Sequence, residues 1–262
     1  MDKPAGWAEP YAATFELESV ADHYRLRPPY PAATIDLLGS LVDSGLPVVL
    51  EAGCGIGELS RALVRRGLRV DAVDRSEAMV ARGRVMDGGD ESDLRWIVGK
   101  VESAELATAY GLVVCADSIH WFDWAATFPR IRGLLTPHGY LAVVQRDWLH
   151  DASSKPRLGA LYARHGTNRD FRPLDAVEEL VTRDLFEPVG EQTAPRDPWR
   201  PTLDELVGCH HSQSSFAREQ MADPAAFDRE VAQAVLETLE PADDGRFDLW
   251  VDATVVWGRV PG

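Results

Sequence analysis

Cysteine is scarce in this chain: three in 262 residues. Cys54, Cys115 and Cys209 are scattered and carry no metal-ligand spacing, so they argue against a disulfide framework and for a reducing compartment. Long apolar runs are also missing. None approaches the ~18 residues that a membrane span requires, and no cationic start precedes an apolar leader. Positive charge is in deficit, with 27 Lys and Arg against 42 Asp and Glu and a formal charge of −15. Binding a phosphate backbone needs a basic face, so nucleic acid is not expected as a partner. Internal repeats and low-complexity tracts are absent. The expectation is a cytoplasmic protein, monomer or homodimer, that meets a small molecule rather than a membrane or a nucleic acid.

What the chain does have is a 45% apolar fraction and enough length for one sizeable α/β domain with an appendage. Its organising stretch is Val48-Val49-Leu50-Glu51-Ala52-Gly53-Cys54-Gly55-Ile56-Gly57. The apolar run reads as a strand buried on both faces, as in a parallel sheet. Alternating glycines let the backbone turn sharply and let a ligand lie against it. A helix opening at Glu58 adds unpaired N–H groups at its start. Further on, Leu68 to Val73 reads as a second strand ending in Asp74. Leu94 to Val98, Leu112 to Ala116 and Tyr140 to Val144 read as third, fourth and fifth strands. Helical patterns separate them, which predicts a doubly wound parallel sheet.

The glycine spacing selects among cofactors. In the dinucleotide fingerprint a third glycine stands three positions after the second, where helix and strand pack closely. Here that position is Glu58, whose charge would also repel a pyrophosphate. No Gly-Lys-Ser/Thr follows, which excludes a P-loop. The pattern Glu51-x-Gly53-x-Gly55-x-Gly57 instead resembles motif I of the class I S-adenosylmethionine-dependent methyltransferases. Asp74 lies about 20 residues on, where an acid accepts hydrogen bonds from the ribose hydroxyls. Nicotinamide enzymes share that feature, so Asp74 points to an adenosine ligand without choosing between the two. Arg27-Pro-x-Tyr-Pro, ahead of a helix at 31–42, is similar to the N-terminal signature of small-molecule methyltransferases related to trans-aconitate methyltransferase. In those relatives a tyrosine and the arginine lie over the cofactor, and here His23 occupies the tyrosine position.

The resemblance implies a Rossmann-like sheet of seven strands in a three-layer α/β/α arrangement, S-adenosyl-L-methionine as cofactor and S-adenosyl-L-homocysteine as product. It places His23, Arg27, Glu51, Gly53, Cys54, Gly55 and Gly57 at the cofactor, with Asp74, Arg75 and Met79 from the second strand and its helix. Ser76 caps that helix. Lys100, Val101 and Glu102 follow the third strand where the family has an adenine-recognising turn; Lys100 replaces its usual acid, leaving the Val101 backbone N–H as a contact. Ala116 and Asp117 end the fourth strand beside the sulfonium. The run Ile119-His120-Trp121-Phe122 is a family marker. His120 is the catalytic candidate, a base with an ordinary pKa near neutrality; its other reading is a histidine that orients the loop. Tyr24 and Trp121 would touch substrate.

Residues 146–245 break the strand–helix rhythm. Helices are expected at 158–164, 176–185, 203–221 and 224–239, a sixth strand at 186–193, a proline-punctuated loop around Trp199 and a closing strand at 248–260. Together these form a single domain, 1–262, with a helical cap over the carboxyl ends of the sheet. His210 and His211 in the cap are candidates for substrate hydrogen bonds. Adjacent helical positions point about 100° apart, so the pair is not expected to hold one metal. The function expected is methyl transfer to O or N of a small-molecule acid or specialised metabolite. The alternatives are a nicotinamide-dependent oxidoreductase and a catalytically silent cofactor-binding regulator.

Overall fold

Val49 and Leu50 are both fully buried and face opposite ways, as neighbours on a strand must. Val49 joins one core with Ile35, Leu38, Leu59 and Leu63, and Leu50 joins the other with Trp124, Phe128 and Ile131. Helices therefore cover both faces of the sheet, giving the three layers expected. The computed structural model describes residues 3–148 and 155–262; residues 149–154, inside the expected cap range, lie outside them.

The strands are Val48–Ala52 (β1), Arg69–Asp74 (β2), Leu94–Val98 (β3), Tyr110–Ala116 (β4), Leu135–Asp147 (β5), Glu187–Thr193 (β6), Asp197–Trp199 (β7) and Leu249–Arg259 (β8). They run in the order β3-β2-β1-β4-β5-β8-β6, with β7 also pairing β8. β1 to β5 are parallel; β8 is antiparallel to β5, β6 and β7. The strand order reverses between β1 and β4, and ligands of such sheets bind outside the carboxyl ends at that switch. The loops after β1 and β4 are Gly53–Gly57 and Asp117–Phe122.

A third core sits beyond the sheet. Helices Lys155–His165, Leu203–His210 and Pro224–Leu236 bury Leu158, Leu206, Phe227 and Val231 with Trp199 and Phe247. This third core occupies the expected cap range, with three differences from expectation. The helix Ala176–Thr182 packs Ala176 and Leu180 into the sheet core instead. The helix expected at 203–221 stops at His210, and the proline-rich stretch 195–201 contains β7. The amino-terminal segment folds as short helical turns ending in Glu18–Tyr24, which buries Val20 and Ala21 against Ile56, Met79 and Ala217. It thereby bridges the glycine loop, the helix after β2 and the cap. Among the described residues no helix is long and apolar enough to cross a membrane, and no group of three or more His, Cys, Asp or Glu is placed to hold a metal.

Candidate active site

Three glycines after β1 turn with positive φ, at +72°, +55° and +68° for Gly53, Gly55 and Gly57. Space demands two of them. A Cβ on Gly53 would stand 2.6 Å from Ser118 Cβ, and one on Gly57 would stand 2.2 Å from the Trp96 ring. The Gly53 and Cys54 amides both donate to Val73 O, at 2.8 and 3.0 Å, and the Gly55 amide donates to Asp74 Oδ2 at 2.7 Å. The loop is thus laced to the end of β2. After β4, Asp117 also takes a positive φ of 52°. Its carboxylate accepts from Tyr30 Oη at 3.0 Å and from the Arg146 amide at 3.1 Å.

Between these loops lies a crevice lined by Gly53, Gly55, Val73, Asp74, Met79, Val101, Ser118 and Phe122, with Tyr24, Ala12 and Phe15 from the amino-terminal segment. Its charged lining is five carboxylates, of Glu9, Asp74, Glu102, Asp117 and Asp123, against Arg75 and Lys100. Both cations are engaged by Glu9, at 2.8 and 3.1 Å. Burial pushes the Asp74 carboxyl up while the Ser76 and Gly55 amides pull it down.

A larger cavity of about 860 Å³ adjoins it. Phe15, Asp117 and Trp121 line both spaces and form the seam. Beyond the seam the walls are Trp7, His120, Trp148, Tyr162 and Phe216, with Arg169 and Arg172 at an exposed rim. The His120 ring packs 5.4 Å from Trp7 and 4.6 Å from Trp121. Burial pushes its pKa down to about 4, so it is neutral at pH 7. A volume of this size lies within the usual range for small-molecule sites.

Residues 49–139 match the methyltransferase domain family. That span, from β1 into β5, carries a methyltransferase domain. An uncharacterized methyltransferase of Mycobacterium tuberculosis is 36% identical over 110 residues, 41% of this chain and 55% of that protein. The chain thus spans about half the length of the curated relatives it matches. A solved structure from Anaeromyxobacter dehalogenans, assigned as a type II methyltransferase, superposes with a TM-score of 0.64 at 24% identity, over 90% of this chain and 99% of that one. A methyltransferase from Thiobacillus denitrificans, solved with S-adenosyl-L-homocysteine, superposes at 0.50 and 14% identity, over 93% and 97%. The seven strands expected are supplied by β1 to β6 and β8, and β7 is a short strand added on β8.

Within this methyltransferase domain the expected cofactor residues divide. Gly53, Gly55, Asp74, Arg75, Met79, Lys100, Val101, Glu102 and Asp117 all line the crevice. Glu51 does not: it is 2% exposed, bonded to the Ser60 hydroxyl, and burial raises its pKa to about 8. Cys54 and Ala116 are buried in the core beneath, and Gly57 serves Trp96. The two aromatic residues ahead of Arg27 face different ways, and His23 lines neither space. Tyr24, expected at substrate, stands over Gly55 in the crevice. His23, expected at the cofactor, turns the other way and contacts Ser19 O at 2.6 Å through Nδ1. One residue of helical rotation, about 100°, separates the two directions. Arg27 lines the larger cavity, stacked on Tyr24 at 4.1 Å and bonded to Ser212.

His210 and His211 line neither space. The His210 ring bridges Leu206 O and Tyr162 Oη at 2.8 Å each, and His211 is held by Phe216 O at 2.7 Å and Asp228 at 2.6 Å. All four ring nitrogens are committed inside the cap, which removes both histidines as substrate donors. Trp121 lies at the seam. Glu9, Phe15, Arg169 and Arg172 had no sequence signal. They come from short turns and a cap loop without periodicity, and only long-range packing places them at the site.

Proposed function

We propose that this chain is an S-adenosylmethionine-dependent methyltransferase acting on O or N of a small-molecule acid or specialised metabolite. The observation that carries the reading is the sign of the crevice. A lining with excess carboxylate attracts the cationic sulfonium and ammonium of S-adenosylmethionine and repels the diphosphate of a nicotinamide cofactor. The residues fit the group in shape as well, because a Cβ at Gly53 or Gly55 would narrow the space it needs. Asp74 suits the ribose hydroxyls, and Met79 with the backbone at Val101 suits the adenine. When bound, the cofactor supplies an electrophilic methyl carbon whose bond to sulfur breaks as a nucleophile attacks in line, the bonding pair staying on sulfur.

The chain's own residues hold and align. The seam at Phe15, Asp117 and Trp121 fixes the acceptor atom opposite the methyl group, and proximity of this kind contributes up to ~7–11 kcal/mol in favourable systems. Neutral His120 is available to take a proton from a phenol or amine, although its depressed basicity suits it better to an acceptor that is already anionic. His211 is not available, since both its nitrogens are bonded within the cap. Calorimetric titration tests the reading: S-adenosylhomocysteine binds with a micromolar dissociation constant and NADH produces no heat. Binding of NADH without S-adenosylhomocysteine would establish the oxidoreductase alternative instead. Incubation with labelled cofactor and candidate acids and amines separates an enzyme from a silent cofactor-binding regulator.

A further inference from the structure

The two adjoining spaces carry opposite signs. Across the seam the acceptor cavity is lined by four guanidinium groups, Arg27, Arg146, Arg169 and Arg172, against the carboxylates Asp117 and Asp147. In a chain with a formal charge of −15, this local reversal is a built feature. The inner pair is anchored inside the protein, although Arg27 keeps its charge among neutral partners and the buried Arg146 Nε has none. Arg27 bonds Ser212 and Tyr24, and Arg146 is committed to Pro28 O, Glu58 and Asp117. Asp117 is neutralised by that same Arg146, and Asp147 is itself engaged.

The outer pair differs. Arg169 donates to Ala163 O at 3.0 Å, and Arg172 donates to Phe171 O at 2.7 Å and weakly to Arg169 O. Backbone carbonyls orient these guanidinium groups without cancelling their charge. Neither has a carboxylate partner among the described residues. Asp170 between them accepts from Tyr11 Oη at 2.9 Å. A second polar group also waits for a ligand: Gln213 lines the cavity, and its Nε2 is buried with no hydrogen-bond partner. The remaining wall is aromatic, with Tyr162 against Phe216 at 5.0 Å and Trp148 backed by Trp199 at 5.6 Å.

We propose that Arg169 and Arg172 determine acceptor specificity by holding the carboxylate of a ring-bearing acid, whose methylated atom is a different one, presented at the Phe15–Asp117–Trp121 seam. Guanidinium groups match a carboxylate in geometry and charge, and flat aromatic walls favour a ring over a flexible chain. Neither arginine lines the cofactor crevice, so the carboxylate is a handle and not the nucleophile. This assignment rests on the methyltransferase reading, because the seam acquires meaning only if the crevice holds the methyl donor.

The test uses calorimetry on the full chain with 2-naphthoate and its neutral analogue 2-naphthamide, with and without saturating S-adenosylhomocysteine. The acid binds at least about ten-fold more tightly than the amide, as expected for a charge-assisted pair. In the double variant R169Q/R172Q that preference falls to about two-fold or less while amide binding stays unchanged, the surviving contact being apolar. S-adenosylhomocysteine binds wild type and double variant equally. The proposal is overturned if acid and amide bind alike, if neither binds, or if the double variant keeps the preference. Loss of S-adenosylhomocysteine binding by wild type would instead sink the methyltransferase reading, and the two failures are read from separate titrations.

Discussion

The Gly55 amide points at Asp74 Oδ2 from 2.7 Å while the Ser76 amide reaches Oδ1 at 2.8 Å. One carboxylate therefore holds the glycine loop, caps the exit of β2 and still offers outward lone pairs to a ligand. Asp74→Asn places an NH₂ where one of two amide donors now points, so a bond is lost whichever way the side chain turns. Affinity for S-adenosylhomocysteine should fall by about 10–100-fold, the worth of a hydrogen bond to a charged acceptor. An unchanged dissociation constant by calorimetry would remove Asp74 from the site.

Gly57 is a packing position before it is a ligand position. Its φ of +68° and the 2.2 Å approach of a Cβ to the Trp96 ring both oppose substitution. Gly57→Ala should destabilise the fold by at least ~2 kcal/mol, combining left-handed backbone strain with overpacking. Gly39→Ala is the control, since nothing lies within 4 Å of its Cβ inside the helix Ala32–Leu41. There alanine should be neutral or stabilising by up to ~1 kcal/mol. Denaturant unfolding of the two variants measures the contrast.

These positions also mark how far the sequence could be read. The strands β1 to β4 were legible as short β-favouring runs between turn signals, and the closing β8 by its weak alternation. The glycine loop and Asp74 were legible because their chemistry is local and their spacing rigid. The fifth strand, expected to open at Tyr140, already starts at Leu135, and the register with β4 shifts between Tyr110 and Leu112. Proline and glycine are tolerated there because a bulge absorbs them. Which of His23 and Tyr24 faces the crevice was not legible, because neighbouring residues on a helix differ only in rotation and no local signal states which one does. His210 and His211 looked available because their partners, Tyr162 and Asp228, are 48 and 17 residues away.

Glu51 makes stability fall as pH rises from about 4.5 to about 8. Burial lifts its pKa from an ordinary 4.5 to about 8. Between those values the folded chain holds a proton that the unfolded chain releases, so Glu51's contribution is complete below pH 4.5 and disappears as pH rises toward 8. Glu51→Gln keeps a neutral group beside Ser60 at every pH. The melting temperature of the variant relative to wild type should climb steadily across that window and level off above it. A difference that does not vary with pH would mean that Glu51 is ionised in the fold.

His120 gives the opposite slope on the acid side. Its folded pKa of about 4 lies below the ordinary 6.5, so the unfolded chain binds the extra proton as pH falls. The contribution is intact above pH 6.5 and is lost progressively down to about 4. His120→Phe fills the same aromatic niche between Trp7 and Trp121 and should flatten the melting curve over that interval. The same value fixes the kinetic signature. If His120 takes the proton during transfer, kcat/KM has no His120 inflection between pH 5.5 and 8, because the imidazole is already neutral there.

Arg146 ties the two halves of the site together, and its removal should be the most damaging single change. The side chain is 2% exposed and ion-paired to Glu58 at 3.2 Å and Asp117 at 3.4 Å. It also stacks on Tyr30 at 4.1 Å and bonds Pro28 O. It therefore connects the end of β5, the first turn after the glycine loop, the lead-in segment and the positive-φ residue at the seam. Arg146→Ala strands two carboxylates around an emptied space, a loss of about 3–5 kcal/mol for a broken buried pair. Arg146→Met fills the volume but not the charge, so it should recover the packing and still lose the pairing. If its unfolding midpoint matched wild type, shape rather than charge would be what holds Asp117 at the seam.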